Sequence, residues 1–178
     1  FPDIQELDKV FFYPGSSIGN FDPEKADEFF VNLANECHEN GGLLIGVDLV
    51  KDAETLNLAY NDSLGVTAAF NLNTLLNVNR LIGSNFKPQD WEHYAFFNTS
   101  QSRIEMHLRA LKDVQITLPD HKGDDHLISF GAGDLIHTEN SYKYSQEHFV
   151  EKLRCAGFKD IRCWTDPNKH FLVCFAKA

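Results

Sequence analysis

The sequence predicts an α/β protein in which a doubly wound sheet is interrupted by an α+β insertion. Two apolar runs frame a helix near the start of the chain, and a helix followed by two more strands closes it. In the middle of the chain, apolar residues alternate with polar ones, as they do in strands with one solvated face. We therefore expect residues 1–50 and 144–178 to share one α/β core, and residues 51–143 to form an inserted domain.

The first fifty residues predict a strand, a helix and a second strand. Lys9 to Tyr13 is a short apolar run, as expected of a buried strand, and Pro14-Gly15 closes it. The segment Asp22-Pro23-Glu24 is typical of a helix start, and Asn40-Gly41-Gly42 is typical of a helix end. The apolar run from Leu43 to Val50 is typical of a strand covered on both faces. This order predicts one right-handed βαβ unit.

The insertion predicts two helices followed by antiparallel strands. Asp52 can cap a helix that extends to about Asp62, and a second helix runs from Val66 to Leu81. The apolar positions of the second helix include Phe70, Leu72, Leu75, Leu76 and Leu81. From Ile104 to Ala110, apolar and polar residues alternate, which predicts a half-buried strand. Val114 to Leu118 and His126 to Phe130 are expected to pair, whereas Trp91 to Phe97 is aromatic-rich and ambiguous.

The end of the chain predicts a helix and a closing hairpin. Ser145 can N-cap a helix from Gln146 to Cys155. Asp160 to Trp164 and His170 to Ala176 predict two strands that turn at Asp166-Pro167-Asn168. We expect the residues that line the sheet and helix layers to be mostly buried: Phe29, Leu33, Leu44, Ile45, Phe149, Leu153 and Val173.

Composition disfavours several classes of partner. The formal net charge of −10 argues against a nucleic acid or an anionic membrane surface. No run approaches the roughly 18 apolar residues of a membrane span, and no signal peptide is visible, so we expect a cytoplasmic protein. No cysteine pair has CxxC spacing, and we interpret all four cysteines as buried, reduced thiols: Cys37, Cys155, Cys163 and Cys174.

Two polar segments are candidates for holding a small polar ligand. The loop from Tyr13 to Asn20 follows a predicted parallel strand, at the end where ligands bind in open α/β sheets. Gly15 and Gly19 allow backbone to approach a ligand, and Asn20 offers donors and acceptors that suit an amino acid. An ordinary turn before a helix is the alternative interpretation of this loop.

The second polar segment is Ile136 to Ser145, in which nearly every side chain can form a hydrogen bond. Glu139 and Ser141 are two residues apart, so in extended backbone they face the same side. A carboxylate beside a hydroxyl can bind both nitrogen edges of an imidazole, or one ammonium group. The alternatives are an ordered turn that caps the next helix, and a glutamate in a surface salt bridge.

No metal or nucleophile motif stands out. Five of the eight histidines are scattered candidates for metal ligands, without HExxH or CxxC spacing: His93, His107, His121, His126 and His137. Gly15 to Gly19 is not a GxSxG nucleophile elbow in register. We therefore predict no metal site.

Five long segments carry a family resemblance: FYPGSSIGNF at 12–21, LLIGVDLVKD at 43–52, AYNDSLGVTAAFNLN at 59–73, RIEMHL at 103–108 and IHTENSYKYS at 136–145. In this order they resemble the SAM-dependent histidine Nα-methyltransferases of ergothioneine biosynthesis. The resemblance implies the C-terminal portion of a class I, Rossmann-like methyltransferase with an inserted α+β substrate-binding domain. It also implies methyl transfer from SAM to the α-amino nitrogen of L-histidine, up to the trimethylated betaine, hercynine.

The resemblance implies residue roles as well. In this family histidine binds between the two domains, and the positions that hold it carry over to this chain. Asn20 and Tyr60 match at the amino-acid end, and Met106, Glu139 and Ser141 match at the imidazole end. Gly15 is expected near the cofactor and the amine.

One part of the family pattern is missing from this chain. The glycine-rich SAM loop and the acidic residue that holds the ribose lie upstream of Lys9 in the family, and the chain begins with Phe1. We expect the natural protein to continue upstream and the isolated chain to be inactive, with possible self-association. Two alternatives stay open: a methyltransferase for another amino acid or small amine, and a truncated binding module without its cofactor half.

Overall fold

The computed structural model describes residues 8–37, 40–119 and 125–178, and they divide into two compact units. Of the described residues, those within 8–52, 99–103 and 140–178 form the first unit, and those within 53–98 and 104–139 form the second. The expected domain boundaries lay after residues 50 and 143. The interpretation of these units as methyltransferase core and substrate-binding insertion stays a prediction. Among the described residues, no helix combines the length and apolar character that a bilayer crossing needs.

The first unit is built on a four-stranded mixed sheet in the order β1-β2-β9-β8. Its elements are β1 (Val10–Tyr13), α1 (Pro23–Glu36), β2 (Gly42–Asp48), α4 (Gln146–Cys155), β8 (Lys159–Thr165) and β9 (Phe171–Lys177). β1 and β2 pair parallel, with Val10 opposite Gly42, and β9 pairs antiparallel with both β2 and β8. The predicted strand–helix–strand unit and the closing hairpin are confirmed.

Local chemistry explains where the closing elements begin and turn. The hydroxyl oxygen of Ser145 accepts a hydrogen bond from the backbone N–H of His148 at 3.2 Å, so Ser145 caps α4 as predicted. Between β8 and β9, the carboxylate of Asp166 accepts backbone hydrogen bonds from Asn168, His170 and Phe171. These bonds lower the pKa of Asp166, the one from Phe171 most. The hairpin turn is therefore held by one side chain.

One face of this sheet holds the core of the first unit. Leu43, Ile45, Leu172 and Cys174 are fully buried there, together with Phe30 of α1 and with Phe149 and Leu153 of α4. The predicted core residues Phe29, Leu33, Leu44 and Val173 are half-buried, and none of the seven is exposed. The predicted core is therefore confirmed for Ile45, Phe149 and Leu153, whereas the other four side chains are only partly buried.

The other face is less covered than the sequence suggests. Phe12 is 70% exposed, Val10 57% and Trp164 54%. Phe12 lies opposite Leu44, and Leu44 opposite Phe175, so these side chains share one sheet face. The expectation that β1 is buried is therefore wrong, as is the expectation that β2 is fully covered on both faces. Among the described residues, β1 and β8 are the edge strands of this sheet, and Phe12 and Trp164 are exposed on them.

The second unit combines two helices with antiparallel strands. Its helices are α2 (Ala53–Tyr60) and α3 (Val66–Ile82). β3 (Trp91–Asn98), β4 (Arg103–Ala110) and β7 (Leu135–Tyr142) form a sheet in that order, and β5 (Val114–Leu118) and β6 (His126–Phe130) form an antiparallel hairpin. β4 begins and β7 ends in residues that group with the first unit. The ambiguous segment from Trp91 to Phe97 is thus a strand, and so is most of the polar segment from Ile136.

The helices of the second unit cover one face of its sheet. Leu56 of α2 packs with Ala95, Ile104 and Met106, while Leu75 of α3 packs with Trp91 and Leu108. Phe70, Leu76 and Leu81 of α3 are exposed, although the sequence marked them with Leu75 as apolar positions. The polar residue Asn71 is buried instead.

Two expectations about burial need correction. β4 was expected to be half-buried, yet Glu105 and His107 are also buried, because rings from both neighbouring strands, Phe96 and His137, stack on His107. All four cysteines are free thiols, but only Cys174 is buried, and Cys155 is exposed. Burial raises the pKa of Cys174, and Cys163, whose Sγ lies 3.0 Å away, raises it further.

Candidate substrate site

The segment after β1 turns through two residues in the left-handed region. Gly15 has φ +79° and Ser16 has φ +63°, and a 3₁₀ turn from Ser17 to Asn20 follows. The hydroxyl oxygen of Ser16 accepts a hydrogen bond from the backbone N–H of Asp48 at 2.8 Å, which ties the turn to the end of β2. Where a side chain would start at Gly15 there is open space, so a ligand can approach the backbone closely.

Gly19 allows the 3₁₀ turn to pack against the end of β7. A methyl group at Gly19 would lie 2.8 Å from the carbonyl oxygen of Tyr142, which is too short for van der Waals contact, and 3.4 Å from the hydroxyl oxygen of Ser141. Asn20 directly follows Gly19 and is exposed, whereas Ser141 is buried. The first unit therefore brings the turn that carries Asn20 next to Ser141.

A buried lysine lies beside Ser141. The side chain of Lys143 is 1% exposed, and its Nζ donates to Ser141 Oγ at 2.8 Å and lies 2.9 Å from Asp48 Oδ2. Lys51 forms a second ion pair, with the other oxygen of Asp48. Sequence reasoning named Ser141 and missed Lys143 and Asp48. A charged residue at the end of an apolar strand, and a lysine inside the polar segment, were the available signals.

Tyr60 and Met106 belong to one cluster in the second unit. Met106 is buried against Leu56, Ala95 and Ile104, and the half-buried ring of Tyr60 packs on this cluster. Tyr60 ends α2, and its carbonyl oxygen accepts a hydrogen bond from His93 Nε2 at 2.8 Å. The structure therefore groups the two predicted residues and fixes the backbone of one of them.

Asn71 completes the network behind Tyr60. Its amide nitrogen donates to the carbonyl oxygen of His107 at 2.9 Å and lies 3.0 Å from His93 Nδ1. Its amide oxygen accepts from the hydroxyl of Thr138 at 2.7 Å. With Nδ1 as acceptor, His93 carries its proton on Nε2, which matches its bond to Tyr60. These partners explain why α3 buries Asn71 rather than the adjacent Phe70.

Glu139 lies in β7 and is half-buried. Thr138 points its hydroxyl toward Asn71 of α3, so strand alternation puts the side chain of Glu139 on the opposite face of the sheet. His137 shares that face, since its ring stacks on His107, and its Nε2 lies 3.2 Å from the carbonyl oxygen of Glu139. Glu139 therefore stands on the polar face of this sheet.

Three side chains on that polar face are close enough to be considered as metal ligands. Glu105, His107 and His137 each offer a ligand atom within 4.8 Å of the other two. The two imidazole rings are stacked, however, with centroids 4.6 Å apart and an interplanar angle of 21°. A bound metal lies near the plane of each imidazole that ligates it, about 2 Å from the nitrogen, so stacked rings cannot share one ion. His121 lies outside the described residues.

These features define an α/β protein in which the turn that carries Gly15 and Asn20 follows the carboxyl end of a parallel strand. The whole chain, residues 1–178, matches the family model described as histidine-specific methyltransferase, SAM-dependent, and the chain belongs to this family. The resemblance noted in the sequence, and SAM as the cofactor of the family, are thereby confirmed.

Relatives agree with the family assignment. The chain is 40% identical over 165 residues to the histidine N-alpha-methyltransferase of Mycolicibacterium smegmatis, covering 92% of this chain and 50% of the relative. It is 31% identical to ergothioneine biosynthesis protein 1 of Neurospora crassa, covering 99% of this chain and 20% of the relative. An L-tryptophan methyltransferase of Psilocybe serbica is 25% identical, covering 92% and 45%. The chain thus spans at most half the length of these relatives.

Proposed function

We propose that the protein containing this chain transfers methyl groups from SAM to the α-amino nitrogen of L-histidine, giving the trimethylated betaine, hercynine. The observation that carries the proposal is the match of all 178 residues to a histidine-specific family. The name of the Mycolicibacterium relative at 40% identity supports the same substrate. A cytoplasmic location is part of this proposal.

The proposed residue roles follow the resemblance in the sequence. Asn20 and Tyr60 hold the amino-acid end of histidine, and Met106, Glu139 and Ser141 hold the imidazole. The fixed backbone of Tyr60 and the buried hydroxyl of Ser141 support these roles, because both groups are preorganised before a ligand arrives. The carboxylate of Glu139 is suited to accept an imidazole N–H.

SAM supplies an activated methyl group on a sulfonium, which an amine lone pair displaces in line. This chain's residues therefore have to position a neutral amine rather than activate it chemically. Asn20, beside Gly19, offers both a donor and an acceptor for the amine and carboxylate of an amino acid. Gly15 fits a position near the cofactor, because its backbone has open space around it.

The proposal is tested by calorimetry on the complete reading frame that encodes this chain. Titration with L-histidine in the presence of S-adenosylhomocysteine should show saturable binding, and incubation with SAM should add up to three methyl groups by mass spectrometry. L-tryptophan and L-phenylalanine serve as matched controls. No binding and no methylation of histidine would reject the proposed function.

A second candidate is methylation of another amino acid or small amine, and the tryptophan methyltransferase relative supports keeping it. A carboxylate at position 139 and a hydroxyl at position 141 nevertheless suit a ring with two polar nitrogen edges better than an indole, which has one. Preferential methylation of tryptophan in the assay above would establish this candidate. We also propose that the isolated chain, residues 1–178, has no methyltransferase activity.

A further inference from the structure

Lys143 is a charged residue enclosed in the first unit. Its side chain is 1% exposed, and burial of an ammonium is costly unless hydrogen bonds and an opposite charge compensate. Its backbone is also fixed, because its N–H donates to the carbonyl oxygen of Ser102 at 2.8 Å and its carbonyl accepts from the Ser102 hydroxyl at 3.0 Å. A residue anchored this firmly has a defined side-chain position.

The direction of the bond to Ser141 follows from the chemistry of the two groups. An ammonium carries three donors and no acceptor, so in the 2.8 Å contact Lys143 donates and Ser141 Oγ accepts. The hydroxyl dipole of Ser141 then points its oxygen at Nζ and its hydrogen away from it. Asp48 holds the ammonium from the other side at 2.9 Å, so Lys143 cannot turn from Ser141 without separating an ion pair.

Asp48 is itself immobilised. Its backbone N–H donates to Ser16 Oγ at 2.8 Å, and its carbonyl oxygen accepts from the backbone N–H of Tyr144 at 3.3 Å. Lys51 pairs with its second carboxylate oxygen. The series Asp48, Lys143, Ser141 therefore runs from the carboxyl end of β2 to the end of β7.

We propose that Lys143 is a positioning residue of the substrate site, which fixes the Ser141 hydroxyl as a hydrogen-bond donor and so selects a ring with an unprotonated nitrogen. This inference rests on the proposed function. A neutral imidazole has one bare nitrogen that accepts such a bond, whereas an imidazolium has none. The same ammonium would also repel a positively charged ring.

The test uses the complete reading frame and a double-mutant cycle. Lys143→Met should raise the KM for L-histidine on the order of tenfold, the size expected for one misplaced hydrogen bond, with kcat changed much less and the KM for SAM unchanged. In a Ser141→Ala background, Lys143→Met should have little further effect on the KM for histidine, because its partner is already gone. The matched control is Lys51→Met, which removes the other cation from Asp48 and leaves Ser141 in place.

Each outcome decides a different question. Additive effects of Lys143→Met and Ser141→Ala, or equal effects of Lys143→Met and Lys51→Met, would overturn the positioning role and leave the proposed function standing. A wild-type protein that neither binds nor methylates histidine would instead reject the proposed function.

Circular dichroism shows whether Lys143→Met folds. If it does not, Asp48→Asn replaces it, since loss of that charge releases the ammonium. The change that Asp48→Asn causes in the histidine KM should be smaller in the Ser141→Ala background than in the wild type. An equal change in both backgrounds would overturn the proposal.

Discussion

At the scale of single residues, Gly19 is a position where the structure leaves no room for a side chain. A methyl group there meets the carbonyl oxygen of Tyr142 at 2.8 Å, so the turn carrying Asn20 must move away from Ser141. We expect Gly19→Ala to lower stability by about 1–3 kcal/mol and to weaken histidine binding. Thermal unfolding and calorimetry measure the two effects.

Gly131 provides the control for this substitution. A methyl group at Gly131 meets its nearest neighbour at 3.7 Å, an ordinary contact. Gly131→Ala should therefore leave histidine binding unchanged. If both variants bind histidine as the wild type does, the turn does not shape the site.

Glu139 gives the residue-scale test of ring recognition. Glu139→Gln keeps the size of the side chain and removes its charge, and a hydrogen bond to a charged group contributes about 1.5–3 kcal/mol. We therefore expect histidine affinity to fall roughly 10- to 100-fold in a calorimetric titration.

The control for Glu139→Gln is a glutamate whose side chain is exposed. Glu105 is unsuitable, because it is buried and accepts a hydrogen bond from Asn98 at 2.9 Å. Glu54, exposed in the first turn of α2, is suitable. Equal affinities of Glu139→Gln and Glu54→Gln would remove Glu139 from the site.

At the scale of elements, Asp62 secures the start of α3. Its carboxylate oxygens accept backbone hydrogen bonds from Val66 at 2.9 Å and from Thr67 at 2.8 Å. These bonds, the one from Thr67 first, lower the pKa of Asp62 to about 2. The N-cap residue of α3 is Gly65, which has no side chain that could cap the helix. The carboxylate of Asp62, four residues before Val66, caps the helix instead.

The sign of the resulting pH effect follows from linkage. A lowered pKa means that the ionised form is favoured in the folded state, so this contribution is present above the unfolded value of about 3.9. It is lost as the pH falls through the folded value. We expect Asp62→Ala to be less stable than wild type at pH 7, and the difference to shrink between about pH 4 and pH 2.

Thermal unfolding at several pH values measures this difference. Asp125→Ala, at an exposed position, is the control. A difference between Asp62→Ala and wild type that stays constant down to pH 2 would contradict the role of the carboxylate.

At the scale of the whole molecule, the exposed apolar side chains of the first unit predict association of the isolated chain. Phe12 at 70% exposure and Val10 at 57% lie on an edge strand, and such edges tend to pair with other chains. The apolar strand from Leu43 is not an edge strand, because β1 and β9 pair with its two edges. Among the described residues, the two edges of this sheet belong to β1 and β8, and the more exposed apolar side chains lie on β1.

Sedimentation velocity of residues 1–178 tests this prediction. We expect concentration-dependent self-association, and no useful SAM affinity in a titration. Phe12→Lys should reduce the association, whereas Leu127→Lys, at an exposed apolar position of β6 in the second unit, should not. A monomer that binds SAM at micromolar concentration would contradict the prediction.

The sequence by itself determined the order and type of most elements, because their signals are local. The cap at Ser145, the turn at Asp166, and the apolar run from Leu43 each act within a few residues of chain, and the structure contains the helix, hairpin and strand that they predict. The family resemblance was also readable, since five long segments carry it in order.

Only the tertiary structure decided which faces are covered and which side chains meet. Phe12 and Phe70 are apolar yet exposed, and Asn71 and Lys143 are polar yet buried. The physical reason is that burial depends on partners far away in the chain: Asn71 bonds to Thr138, and Lys143 pairs with Asp48. No local pattern specifies such pairs, because the end of β2 and the residue that follows β7 meet only in the folded chain.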